Sequence, residues 1–256
     1  MTGMPVTAPA PAGEFGVGLV FSRAWAVFSR NVAKFLPLSA ITVVPYLILL
    51  IPGVADGTIA RTAPPKITAG AVAIFGVTGL VWGVLFVITQ ATVLYGAFQV
   101  MRGRSFRIGD SFQKGLSRFF PVIGTSIVMM VCMMFSGILL FFPAFILFSM
   151  FFVALPACVV ERLGPFRSLG RSRALTKGYR WRIFGIWLLL ALVSGIGSNI
   201  LGLILAPAGT AITVLVSMVW QASTTAYQAI SAAVIYHDLR VVKEGVDIEH
   251  IASVFD

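Results

Sequence analysis

Apolar residues in this chain gather into long unbroken runs, separated by short stretches in which arginine and lysine are interleaved with single apolar positions. Continuous runs of about 18 residues or more predict helices long enough to cross a bilayer, whereas barrel strands would alternate over about ten. The first run extends from Phe35 to Gly53, with Pro37 expected in a first helical turn and Pro45 expected to kink the span. The second, Gly70 to Met101, is longer than a hydrocarbon core of about 30 Å requires, which predicts tilt or projection into the cytoplasm. Phe119 to Val160 is one apolar stretch interrupted at Phe142–Pro143. It predicts a hairpin of two spans, 120–140 and 143–160, with a kinked re-entrant pair as the alternative. Ile183 to Leu205 is the fifth run, and the sixth starts after Pro207 and continues toward Arg240.

The intervening basic stretches have a helical period of their own. From Phe15 to Lys34, Val20, Ala24, Val27 and Phe28 share one face, with Arg23, Arg30 and Lys34 around it. In the stretch from Arg107 to Gly124, Asp110 is a plausible N-cap, and Phe112, Leu116 and Phe119 are set apart from Lys114 and Arg118. From Gly164 to Gly185, Pro165 marks a helix start, and Phe166, Leu169 and Leu175 are spaced against Arg167, Arg171, Arg173 and Lys177. Each stretch is expected to form a short amphipathic helix in the cytoplasmic interface, feeding directly into a span.

The expected fold is therefore all-α: a polytopic membrane protein with six transmembrane helices as three helical hairpins, each preceded by a cytoplasmic interfacial amphipathic helix. Residues 1–14, rich in proline and alanine, are expected to form a disordered cytoplasmic tail without the pattern of a signal peptide. The membrane domain is expected over 15–240, in units 15–101, 105–160 and 164–236, followed by a cytoplasmic tail at 241–256. Asn31–Pro37 and Gly115–Pro121 occupy equivalent places in the first two units.

Composition supports the lipid environment and charge orients it. The chain has 256 residues, 58% of them hydrophobic, with 19 basic and 9 acidic side chains. A soluble domain carries roughly 25% charged residues, so polar cover is too scarce here for water alone. Of the 19 basic residues, 17 lie in the N-terminal segment, the 102–118 and 162–182 stretches and the C-terminal segment. Arg61 and Lys66 alone lie in the 53–69 loop. The positive-inside rule then places both termini in the cytoplasm, as an even number of spans requires, and the expected location is the bacterial cytoplasmic (inner) membrane.

Candidate chemistry is sparse. No glutamate, aspartate, lysine, arginine or histidine falls at the centre of an expected span, which leaves a proton relay or ion-coupling site nothing to use. Gln90, Gln221 and Gln228 are the polar candidates in spans two and six, for bonding across a helix interface or lining a small polar cavity. Gly76, Gly79 and Gly83, and then Gly195, Gly197 and Gly202, are expected to let helices approach closely. Cys132 and Cys158 read as small buried hydrophobes, and His237 as a neutral surface residue, so no metal and no cofactor is expected. There is no phosphate loop, His-Glu-x-x-His or nucleophile elbow. The chain is not expected to be an enzyme. Its basicity, distributed beside spans, points to anionic lipid and not to nucleic acid.

The cytoplasmic boundaries also carry a family resemblance. Pro156, Glu161, Gly164, Pro165, Arg171, Ser172, Leu175, Gly178 and Trp181, followed by Tyr236, Asp238, Leu239, Arg240, Glu244 and Gly245, resemble the patterns of bacterial membrane proteins related to the membrane domain of glycerophosphoryl diester phosphodiesterases. The resemblance implies a six-helix membrane domain. In some members this domain is fused to a catalytic barrel, but here there is neither the length for a barrel nor its acidic and paired histidine residues, so hydrolysis is not carried over. Arg167, Arg171, Arg173, Lys177 and Arg180 are the expected contacts to lipid phosphates or a partner's carboxylates. Glu161, Asp238 and Arg240 are expected to clamp the sixth helix and the third interfacial helix together. The expected function is a membrane scaffold or accessory protein organising a membrane protein partner or anionic lipid. The alternative is a transporter or lipid-handling protein with a weakly polar cavity.

Overall fold

Arg180–Leu205 forms a 26-residue helix in which Ile183, Ile186 and Leu190 are the buried residues. Leu189, Val193, Ile196, Leu203 and Ile204 all stand exposed on it. A core helix of a water-soluble protein hides such a surface, and this one buries 6% of its most apolar stretch. The structure, a computed structural model, describes residues 15–45, 69–104, 119–139 and 141–245, together with the isolated positions Gly109 and Gln113. Among the described residues the fold is all-helical, and two helices are long and apolar enough to cross a membrane, Gly76–Met101 and Arg180–Ala208.

In chain order the helices are α1 (Val17–Arg30), α2 (Val32–Ala40), α3 (Ala69–Met101), α4 (Phe119–Leu139), α5 (Phe141–Phe151), α6 (Ala154–Val160), α7 (Pro165–Thr176), α8 (Arg180–Leu205) and α9 (Thr210–Glu244). Short 3₁₀ turns follow α2 at Ile41–Val43 and α8 at Ala206–Ala208. The 1–14 and 53–68 segments, the far half of the first expected span, most of the second basic stretch and the 246–256 tail lie outside the described residues.

The 35-residue α9 organises the rest. At about 1.5 Å per residue it is roughly 50 Å long, more than a bilayer core accommodates. Ala222, Ala226, Ala229 and Ala233 are buried along it at a spacing of four, three and four, which lays a stripe of small side chains on one face. The faces of α1 and α2 close on α9: Val20, Ala24, Val27, Phe28, Phe35 and Leu38 share its core cluster. The apolar face expected on α1 is thus present with the same four residues, but it meets protein and not a lipid interface.

Three other expectations change. Pro37 lies inside α2, which begins at Val32, and not in its first turn. The expected span 143–160 is divided at Phe152–Val153 into α5 and α6. Pro156 accounts for the division: in a continuous helix its ring would meet the carbonyl of Phe152, whereas in α6 it occupies the third position, where no N–H is needed. Of the glycines expected at helix contacts, Gly76, Gly79, Gly83, Gly195 and Gly202 have open space where a Cβ would stand. Gly197 alone among these six packs against a neighbour, the Trp220 ring on α9. Helix approach is made instead through the alanine stripe.

Candidate functional site

Where α6 ends, Glu161 meets side chains from two other elements. Its Oε1 accepts hydrogen bonds from Arg171 Nε at 2.7 Å and from the Tyr236 hydroxyl at 2.6 Å. The same Arg171 Nε reaches Oε2 at 2.9 Å, and Arg240 Nε stands 3.9 Å from Oε1. Arg171 also pairs through Nη1 with Glu244 at 2.5 Å, and Arg240 Nε donates to that carboxylate at 3.0 Å. Tyr236, Arg240 and Glu244 follow one another at four-residue steps, so α9 presents all three along one line.

The electrostatics follow from this closure. Burial alone would lower the Arg171 guanidinium, but hydrogen bonds to Glu244 and Glu161 outweigh it and hold Arg171 protonated above the ordinary arginine range. Burial pushes the Tyr236 hydroxyl up, and the Glu161 charge adds to it. For Glu244, burial would raise the carboxyl, yet bonds from Arg171 and Arg240 bring it below its ordinary 4.5. A depressed carboxyl stabilises the fold above the unfolded-state value and loses that contribution as pH falls through the folded-state value. Glu244→Gln is therefore expected to flatten the loss of thermal stability below about pH 4.5, read as the melting temperature of the full chain in detergent across pH 3–7. An unchanged acid limb would remove Glu244 from the cluster's energetics.

A second contact draws in the first helix. Arg23 Nη1 donates to Asp238 Oδ1 at 2.6 Å, and His237 Nδ1 lies 3.2 Å from the same oxygen. His237 is 12% exposed in its side chain, with Nε2 buried and unpartnered, so it is not the surface residue expected. Arg182 Nη1 reaches the Phe15 carbonyl at 2.7 Å. Of the three residues expected to form a clamp, Glu161 and Arg240 thus meet α7 through Arg171 and Glu244, while Asp238 ties α9 to α1.

The inner face of α7 is more polar than its spacing of Phe166, Leu169 and Leu175 suggested. Phe166 is 78% exposed, and the buried face is Ser168, Leu169, Ser172, Leu175 and Thr176. Ser172 donates to the Met150 carbonyl at 2.7 Å, with Thr176 at 3.3 Å from the same oxygen. Met150 lies in the last turn of α5, where carbonyls have no acceptor role within the helix, so α7 caps α5 with side chains. α7 is therefore docked on protein along this face and is not laid on lipid by it.

The five expected cationic contacts separate accordingly. Arg171 is enclosed by the carboxylates of Glu161 and Glu244. Arg167, Arg173 and Lys177 are exposed and form no ion pair among the described residues. Arg180, at the first position of α8, is half-buried, and its Nε is buried without a hydrogen-bond partner. Gly178, between α7 and α8, has φ of 92°, a conformation open to glycine and strained for other residues, so the chain turns sharply between Lys177 and Arg180. The polar candidates in the spans do not converge: Gln90 is buried in α3, while Gln221 and Gln228 are exposed on α9. No cluster of three or more histidine, cysteine, aspartate or glutamate side chains suited to a metal occurs among the described residues.

Residue spacing missed the Glu161–Tyr236 bond, the Arg23–Asp238 pair and the Ser172–Met150 cap. A signal for the first existed, since Tyr236, Arg240 and Glu244 lie on one face. Glu161, Arg171, Tyr236, Arg240 and Glu244 form this one cluster. No family model, curated protein or solved structure matches the chain.

Proposed function

We propose that this protein is a polytopic protein of the bacterial cytoplasmic membrane, with six spans in three hairpins and both termini cytoplasmic, that acts as a scaffold or accessory protein organising anionic lipid or a membrane protein partner. The carrying observation is the adjacency of two surfaces. Arg167 and Arg173 on α7 and Lys177 just after it are exposed and unneutralised, and α8, which begins three residues after Lys177, exposes its apolar side chains. A cationic surface next to an apolar one matches the charge and depth profile of an anionic membrane leaflet.

The residues without carboxylate partners are the ones left to meet phosphate, whereas Arg171 and Arg240 are occupied in holding α7 to α9. The conduit reading has less support, because Gln90 is separated by burial from the exposed Gln221 and Gln228. No paired nucleophile and base is present among the described residues, and the proposal is for a non-catalytic role.

The full chain extracted with its surrounding lipid in polymer nanodiscs tests this reading. Lipid mass spectrometry is expected to find anionic phospholipid enriched about twofold or more over the bulk membrane, given roughly 1 kcal/mol for each basic residue near an anionic surface. Bulk proportions, with no membrane protein recovered alongside, would sink it.

A further inference from the structure

The connection between α7 and α8 forms a groove of about 500 Å³ against α5. Phe145 and Ile146 of α5 and Trp181 and Phe184 of α8 make its apolar lining, and Phe145 and Phe184 meet edge to face with ring centroids 4.9 Å apart. Its charged lining is Lys177 and Arg180. Neither cation has an ion-pair partner among the described residues, and the Nε of Arg180 is buried with no acceptor. The carboxylates Glu161 and Glu244 do not line it and are both engaged with Arg171. The first turn of α8 adds to the same potential: it carries no acidic residue and no side-chain cap, leaving its leading N–H groups without partners in the helix.

We propose that this groove binds one anionic glycerophospholipid, with its phosphate held by Lys177 and Arg180 and an acyl chain laid over Phe145, Ile146 and Phe184. The proposal rests on the reading that the basic face meets anionic lipid, and narrows it from a face to a single site. Charge complementarity selects an anion, since two cations line a groove with no carboxylate. The apolar walls select an amphiphile over free phosphate, because an inorganic ion would leave four hydrophobic side chains unfilled. Trp181, 70% exposed beside the two cations, suits the headgroup level, where indole rings concentrate at membrane interfaces. The groove has room for part of one lipid, the remainder staying in the bilayer that covers the exposed face of α8. An ordinary basic flank would need none of this construction, and Arg167 and Arg173 illustrate such a flank on the outer face of α7.

Native mass spectrometry of the full chain, titrated in detergent with phosphatidylglycerol, phosphatidylcholine or inorganic phosphate, tests the site. The wild-type chain is expected to retain phosphatidylglycerol over phosphatidylcholine, and millimolar phosphate is expected not to displace it. Lys177→Gln with Arg180→Gln should weaken that retention about tenfold or more, as loss of charge-assisted hydrogen bonds implies. Ile146→Trp, which fills the groove and leaves every charge in place, should weaken it to a similar degree. Arg30→Gln, at an exposed cation on α1 away from the groove, should change it less than about twofold, as expected of a solvent-screened charge. If Arg30→Gln mattered as much as the groove pair, the site would be overturned while the broader lipid reading stood. Unchanged retention in Ile146→Trp, or displacement by phosphate, would likewise overturn it. Equal retention of the two lipids by the wild-type chain would remove the site and the broader reading together.

Discussion

Replacing Glu161 with alanine is expected to destabilise the protein by about 3 kcal/mol, the largest effect of any single substitution at the polar cluster. Two losses combine. The ion pair with Arg171 involves side chains that are 26% and 19% exposed, and breaking a buried pair costs about 3–5 kcal/mol. That figure is reduced here because both groups touch solvent and Arg171 retains Glu244. Against that reduction, Tyr236, which is fully buried, loses the acceptor of its hydroxyl, a further cost of about 1–3 kcal/mol. Glu161→Gln keeps an acceptor and should lose roughly half as much. Unfolding in mixed micelles measures both variants, and Tyr236→Phe completes a double-mutant cycle with an expected coupling of about 1 kcal/mol or more. A Glu161→Ala chain within about 0.5 kcal/mol of wild type would show that the cluster holds nothing together.

The second large effect is expected within the hairpin of α8 and α9. A Cβ at Gly197 would overlap the Trp220 ring and lie 2.9 Å from its Cε2 and Cη2, closer than carbon atoms pack. Trp220 is not free to swing away, because its Nε1 donates to the Ser194 carbonyl at 3.2 Å. Gly197→Ala should therefore separate the helices and cost about 1–3 kcal/mol, although alanine is the better helix former. Gly195 and Gly202 are internal controls on the same helix, each with open space around the missing Cβ. Alanine at either should leave stability unchanged or raise it by up to about 1 kcal/mol. A smaller ring at position 220, through Trp220→Phe, should make Gly197→Ala less damaging. Equal effects at all three glycines in thermal unfolding would refute the contact.

What was legible in the sequence and what was not divide along a physical line. Local periodicity identified the buried face of α1 down to its four residues, and Pro165 marked the start of α7, because one helix and its caps are set by neighbours in the chain. The break at Phe152 was legible too, through Pro156, but an 18-residue apolar run obscured it: hydrophobicity averages over a window, and a proline acts on one carbonyl. Long-range pairings were another matter. Nothing near Ser172 indicates that it caps α5 at Met150, and nothing near Arg23 indicates Asp238, 215 positions away. Helix approach through Ala222, Ala226, Ala229 and Ala233 was passed over in favour of glycines, although either residue is small enough. The basic residues of 167–180 were visible as a group. Their division into one enclosed cation and others left open depends on which way α7 turns, and that is fixed by the hydroxyls of Ser172 and Thr176 on the Met150 carbonyl.

The alanine stripe and the polar end of α9 have a consequence for the order in which the protein is built. α1 leaves the ribosome first and α9 after every other helix described, yet Val20, Ala24, Val27 and Phe28 find their cover on α9, and Arg23 its partner in Asp238. Throughout synthesis of the intervening chain, α1 must therefore hold its apolar face against lipid or a chaperone. Closure comes in one late step, when a single helix supplies the missing wall, an acceptor for Arg23 and the Tyr236 hydroxyl to Glu161 together. In chains that stop short of α9, Glu161 and Arg171 already have each other, but the apolar face of α1 stays uncovered and Asp238 is missing opposite Arg23.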